Sequence, residues 1–159
     1  MNSDVVIVRT GSANLASVVA AFDRAGARVR ITEDPSEAEV ASRLVVPGVG
    51  AFGAVAHQLD SRGLGDPIAV RVRAGRPTLA ICLGLQILAE TSEEDPGVRG
   101  LGVLSTTATR FADGLRVPQL GWNRVLATDG ARLLEDGMAY FANSYKLDAV
   151  PDLSLIHIS

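Results

Sequence analysis

The sequence predicts an α/β fold with a doubly wound, mostly parallel sheet. Three observations lead there. Short apolar, partly β-branched runs at Asp4–Val8, Leu44–Val46 and Thr78–Ile81 read as strands buried on both faces. Stretches of helix-forming residues separate them. Glycines fall just after the strands, where an α/β sheet keeps its functional loops.

The elements follow in order. After the first strand, Gly11 to Asn14 makes a small polar turn; Asn14 caps a helix that runs to about Ala25, and Gly26 ends it. Val29–Ile31 is a second short strand. Asp34-Pro35-Ser36-Glu37 opens a short helix with proline in its first turn. Leu44–Val46 runs into Pro47-Gly48-Val49-Gly50, and Ala54–Leu59 and Ile68–Ala74 are helical. Thr78–Ile81 is the fourth strand, followed by Cys82 and a helix over Leu83–Glu90. Beyond Gly102 the pattern changes to short strands joined by turns: Thr106–Phe111, Val117–Leu120, Arg124–Ala127 and Met138–Ala142. No repeat, low-complexity tract or linker divides the chain, so residues 1–152 read as one domain and 153–159 as a non-native tail. In the sheet, Gly11, Gly48, Gly50 and Cys82 all fall at the carboxyl ends of strands.

Bulk properties narrow the function. The 159 residues suffice for one domain with its own core, and 47% hydrophobic against 21% charged residues make it globular. The net charge of −3 and the absence of a basic cluster argue against nucleic acid, and no apolar run is long enough to span a bilayer. The N-terminus enters a strand directly, without a secretory pattern. A single cysteine excludes an internal disulfide, so a reducing, cytoplasmic setting is expected. No cofactor and no metal site are expected.

That cysteine is the most informative residue. Cys82 lies where a strand turns into a helix, flanked by the small residues Ala80 and Gly84, as in the nucleophile elbow of hydrolases. Free N–H groups at the helix start favour a thiolate there. A lone cysteine is more often a buried structural one; the flanking pattern favours the nucleophile.

Four segments carry a resemblance. Gly11-Ser-Ala-Asn14-Leu15-Ala-Ser17-Val18, Val46-Pro47-Gly48-Val49-Gly50-Ala51-Phe52-Gly53, Ile81-Cys82-Leu83-Gly84-Leu85-Gln86 and Val117-Pro118-Gln119-Leu120-Gly121-Trp122-Asn123 occur in the order found in the class I (triad) glutamine amidotransferases. Within these the chain resembles the family of glutaminase subunits of imidazole glycerol phosphate synthase. The resemblance implies a flavodoxin-like sheet and the hydrolysis of L-glutamine to glutamate and ammonia. The ammonia passes to a (β/α)8-barrel cyclase subunit in a heterodimer, which forms imidazole glycerol phosphate and AICAR in histidine biosynthesis. Carried over residue by residue, it implies Cys82 as nucleophile. Leu83 and Val49 or Gly50 become oxyanion-hole donors. Gln86, Ser144 and Tyr145 bind substrate, and Asn14, Trp122 and Asn123 lie at or near the partner interface. Read without the resemblance, Gln86 is a surface glutamine, the glycine loop an ordinary turn and Trp122 a core anchor.

The departures are informative too. Ala80 stands where the family has glycine, Arg9 and Thr10 where it has Asp-Tyr, Ala13 where it has glycine, and Asn143 where it has histidine. The family's catalytic base, a His-Pro-Glu segment, has no counterpart; the two histidines are His57, read as a surface imidazole, and His157, two residues before the last position. The chain therefore reads as a shortened member lacking C-terminal strands and a helix. It is expected to be inactive as written and marginally stable. A non-catalytic glutamine- or cyclase-binding subunit is the alternative. Another cysteine-elbow enzyme is a third reading, against which Gln86 and the Gly121-Trp122-Asn123 segment argue.

Overall fold

The computed structural model describes residues 3–11, 13–114, 116–127 and 135–148. Four parallel strands form the central sheet: β1 (Ser3–Val8), β2 (Ala27–Thr32), β3 (Leu44–Gly48) and β4 (Thr78–Cys82), in spatial order β2-β1-β3-β4. The order reverses between β1 and β3, the switch point at which such sheets open a crevice. Val5 to Val8 are all buried, with alternate residues feeding opposite faces.

Helix α1 (Leu15–Arg24) covers one face, where Leu15, Val18, Val19 and Phe22 pack on Val5, Ile7 and Val45. Asn14 Oδ1 accepts from Ser17 N at its start, as the sequence predicts. The other face carries the main core. Helices α2 (Pro35–Val40), α3 (Phe52–Ser61) and α4 (Gly65–Arg73) bring Ala38, Phe52, Val55, Leu59, Ile68 and Val72 onto Val6, Val8, Leu44 and Val46. Asp34 caps α2 by accepting from Ser36 N at 2.8 Å.

One charged side chain is fully buried in this layer. Arg71 of α4 donates to the carbonyls of Ala38, Glu39, Ala41 and Pro77 and to Thr78 Oγ1, at 2.8 to 3.0 Å. It ties the end of α2 to the start of β4. Desolvation, with the neighbouring Arg76 charge, lowers its pKa from the usual arginine value.

The structure corrects the elements after Cys82. The helix expected over Leu83–Glu90 stops at Gln86, giving the single turn α5 (Leu83–Gln86). The chain then enters an unpredicted strand, β5 (Ala89–Ser92). Tertiary hydrogen bonding overrides helix propensity here. The backbone N–H groups of Gly100, Leu101, Gly102, Val103 and Leu104 take the carbonyls of Glu90, Ile87, Ala89 and Leu88. Strand β5 pairs in parallel with β6 (Leu104–Arg110), and β6 pairs antiparallel with the short β9 (Tyr145–Leu147), also unpredicted. The two strands expected at Val117–Leu120 and Arg124–Ala127 are one, β7 (Gln119–Val125), hairpinned on β8 (Gly137–Asn143). The tail 153–159, with His157, lies outside the described residues.

The open edge of β4 leaves Leu79 half exposed, facing a groove of about 350 Å3 beneath β8 and β9. Among the described residues no helix is long and apolar enough to cross a membrane.

Two stability predictions follow from these contacts. Arg71→Met takes a donor from four carbonyls, of which Glu39 keeps Arg76 and Pro77 keeps the Leu44 N–H, and costs about 3 kcal/mol, measured by urea unfolding. The Asp34 pKa is held below 3.8, first by its hydrogen bond to the Ser36 hydroxyl, so its capping benefit is complete above that pH. The destabilisation seen in Asp34→Ala at pH 7 therefore shrinks as the pH falls through the lowered folded value.

Candidate active site

Strand β4 delivers Cys82 to the carboxyl edge of the sheet with φ 55° and ψ −118°. It is the only non-glycine residue with positive φ among those described. That conformation belongs to glycine, and a side chain there stores strain of roughly 1–3 kcal/mol. The strain persists because the following turn is tightly fixed. A Cβ on Gly84 would lie 1.9 Å from the Val46 carbonyl oxygen, and one on Gly48 would lie 2.7 Å from Gly84 N. Only glycine lets the first turn of α5 sit against the end of β3. Leu83 and Ile87 on either side are buried in the main core. Ala80 fits where a glycine was expected, its methyl packing against the same core.

Cys82 is exposed, not a packed structural cysteine. With α5 reduced to one turn, the support for charge near the sulfur is a set of free first-turn N–H groups, not a long helix dipole.

The register sets Gly48 beside Cys82. The chain leaves β3 there through Val49 and Gly50, the latter at φ 97°. Neither residue gives its backbone N–H to a carbonyl among the described residues. The result is a cleft of about 350 Å3 lined by Val49, Gly50, Cys82, Leu83, Gln86, Ser144 and Tyr145. These are the seven sequence-predicted residues of nucleophile, oxyanion hole and substrate binding, brought together from three separate parts of the chain. Gln86 Nε2 donates to Tyr145 O at 3.4 Å and Asn143 Nδ2 to the same oxygen at 3.1 Å, which fastens the far wall to α5. Asn143 Oδ1 is buried without a partner among the described residues.

Sequence reasoning missed Glu94. It is the one charged side chain lining this cleft, and its Oε2 accepts from Phe52 N at 2.8 Å. The neighbouring Asp95 Oδ2 accepts from Gly53 N at 2.6 Å. Together they cap α3, whose own N-cap, Ala51, has no side chain for the task. Nothing in the local sequence announces a cap supplied from 42 residues away.

Three predicted residues lie apart from the cleft lining. Asn14 is occupied as the cap of α1, and Asn123 Nδ2 donates to Gly121 O at 3.3 Å. Trp122 is not a core anchor: it is 67% exposed and meets Tyr140 edge to face at 5.7 Å. Gly11 packs beside Gln58 of α3 and also stays out of the cleft. His57, the one histidine among the described residues, is exposed on α3 and does not line it. No group of acids, cysteine and histidine among the described residues could hold a metal ion.

The comparisons with known proteins address this arrangement. Over 152 residues the chain is 40% identical to the imidazole glycerol phosphate synthase subunit HisH of Methanothermobacter thermautotrophicus, a match covering 94% of this chain and 76% of that one. The chain belongs to the HisH family. The HisH subunit of Thermus thermophilus is 41% identical over 145 residues, covering 91% of this chain and 72% of that one. A crystal structure of a glutamine amidotransferase superposes with a TM-score of 0.69 at 23% identity, covering 92% of this chain and 75% of that one; this identifies the fold. No family model matches the chain. Membership in the HisH family accords with the four sequence segments, three of which border or enter the cleft.

The strain at position 82 makes a specific prediction. Cys82→Gly relaxes it and raises stability by about 1 kcal/mol, whereas Cys82→Ala keeps the Cβ and gains nothing of the kind. Gly84→Ala drives a methyl into the Val46 carbonyl and costs about 2–3 kcal/mol. Denaturant midpoints of the three variants check both.

Proposed function

We propose that the chain is the glutaminase subunit of an imidazole glycerol phosphate synthase. The observation that carries this reading is the convergence of seven motif residues on one cleft around an exposed, strained thiol. Cys82 sulfur attacks the side-chain amide carbon of glutamine. A γ-glutamyl thioester forms, the carbon–nitrogen bond breaks, and nitrogen leaves as ammonia once it is protonated. Water then cleaves the thioester to glutamate. The negative charge developing on the amide oxygen meets the N–H of Leu83 and one from Val49 or Gly50, each such donor being worth about 3 kcal/mol of barrier.

The remaining polar groups suit an amino acid. Ser144 and Tyr145 offer backbone groups to the α-carboxylate, and the Glu94 carboxylate complements the α-ammonium. Gln86, four residues beyond the nucleophile, shares its helix face and orients the ligand.

Proton transfer needs a base that the described residues do not supply. On this reading the 159-residue chain binds glutamine-like ligands and is modified at Cys82, but it does not sustain turnover. The alternative, a subunit that binds without any chemistry, differs in leaving Cys82 unmodified.

Ammonia must leave without meeting bulk water, where it would be protonated. The β7–β8 hairpin offers a docking face for the barrel cyclase. Trp122 pairs across the ladder with Tyr140, and Arg124 with Met138, so all four share one face. Trp122, Met138 and Tyr140 are more than half exposed. An aromatic-rich exposed patch of this kind marks an interface.

The chloroketone analogue of glutamine tests the site. It is expected to alkylate Cys82 with saturation kinetics, and Cys82→Ala abolishes labelling. Glu94→Ala weakens the apparent affinity by about tenfold or more. Ammonia release by the chain with its cyclase is expected to stay at background; sustained turnover abolished by His157→Ala would overturn the claim that a base is lacking. Trp122→Ala is expected to weaken cyclase binding by at least about 2 kcal/mol in calorimetry.

A further inference from the structure

We propose that Thr10 and Asp95 are positioning residues that anchor the two ends of the loop between Gly48 and Ala51 and so set where its amides can meet a ligand on Cys82. This rests on the glutaminase reading, since it concerns the oxyanion donors of that same site.

The loop is fastened at both ends. At the front, the Thr10 hydroxyl donates to the carbonyl of Pro47 at 2.8 Å. Thr10 is fully buried, so no water competes for that bond. Because a peptide is planar, fixing the Pro47 oxygen also fixes the direction of the Gly48 N–H. At the rear, Asp95 Oδ2 holds Gly53 N at 2.6 Å, and Glu94 Oε2 holds Phe52 N at 2.8 Å. Between these anchors Val49 and Gly50 give no N–H to any carbonyl among the described residues. Gly50 adds a left-handed φ of 97°, which glycine enters and leaves freely. The short loop that carries the two amides offered as oxyanion donors is therefore anchored, on either side, by contacts made 37 and 42 residues away in sequence.

Neither Thr10 nor Asp95 lines the cleft, so each acts through the loop. Glu94 does line it and is unsuited to a clean test.

The test uses the full chain and the same chloroketone. The Cys82 thiolate bonds to its chloromethyl carbon and chloride leaves. Saturation kinetics separate the binding constant KI from the maximal rate kinact, and iodoacetamide reports the intrinsic reactivity of the thiol. Thr10→Val and Asp95→Ala are expected to lower kinact about tenfold, because the donors lose their aim. KI and the iodoacetamide rate stay within about twofold. Thr10→Ser and Asp95→Asn restore kinact, since a hydroxyl and an amide oxygen still serve. Unchanged kinact in both variants overturns the proposal, as does a change in KI alone or a parallel fall in iodoacetamide reactivity. Failure of the chloroketone to label the wild-type chain defeats the glutaminase reading instead. Anchoring is then judged by amide hydrogen exchange, which must speed up at Val49 and Gly50 in Thr10→Val and Asp95→Ala; unchanged exchange overturns it.

Discussion

The site depends on one close approach of backbone to backbone. The first turn of α5 lies so near the end of β3 that the Gly84 Cα has the Val46 carbonyl where a side chain would go. That contact sets the angle at which β4 becomes α5, and the angle forces Cys82 into a conformation that L-residues avoid. The strain is local, while what sustains it is spread out: Leu83, Ile87 and Leu88 are buried, and each would have to leave the main core for the turn to relax. A strained nucleophile on a firmly packed turn projects into open space in place of folding back on the sheet. The exposed sulfur and the absence of a long helix behind it are compatible for this reason: geometry, more than dipole, presents the thiol.

Opposite the nucleophile the design differs. Cys82 and Leu83 are placed by the close approach of Gly84 to Val46, by the pairing of Cys82 with Gly48 and by burial of Leu83 in the main core. The glycine loop is placed by side chains from the end of β1 and from the segment after β5. The far wall, Asn143 to Tyr145, is placed by its pairing with β7 and β6, by Phe111 N donating to Ser144 O, and by the Gln86 contact to the Tyr145 carbonyl. The supports are linked: the segment after β5 that anchors the loop is bonded to β6, which pairs in turn with the far wall. The hairpin connects the cleft to the outside. Leu120 lines the cleft, and Trp122, two residues along the same strand face, lies in the exposed apolar patch. A partner seated on that patch would touch the wall of the site directly.

Much of this was legible in the sequence, for identifiable reasons. The central strands β1 and β3 are buried on both faces, so their apolar runs need no tertiary context to be read. The elbow at Cys82 was legible because small residues at fixed offsets are a steric requirement. The region after Gln86 was not. Its helix-forming residues give their carbonyls to residues 100–104, a choice made by contacts that local propensity does not encode. The hairpin was divided wrongly because Gly121 and Asn123 look like turn residues, whereas Gly121 sits within the strand at φ 147°. Trp122 was assigned to either core or interface; its exposure removes the core reading, since aromatic area left in water gains nothing from folding. Glu94 and Asp95 escaped notice because two acids in a surface-like segment resemble solvated charge, and only the fold brings them to α3.

The placement of these supports bears on the chemistry. Forming a thioester needs the nucleophile and the oxyanion donors; completing the cycle needs a group that protonates ammonia and activates water. Among the described residues, the proposed nucleophile and loop amides line the cleft, whereas the one histidine faces solvent on α3. The cleft's single charge, Glu94, is also one of the two carboxylates gripping the start of α3. The carboxylate proposed to meet the α-ammonium is thus also a support of the glycine loop, and a ligand that drew on it would act on the loop as well.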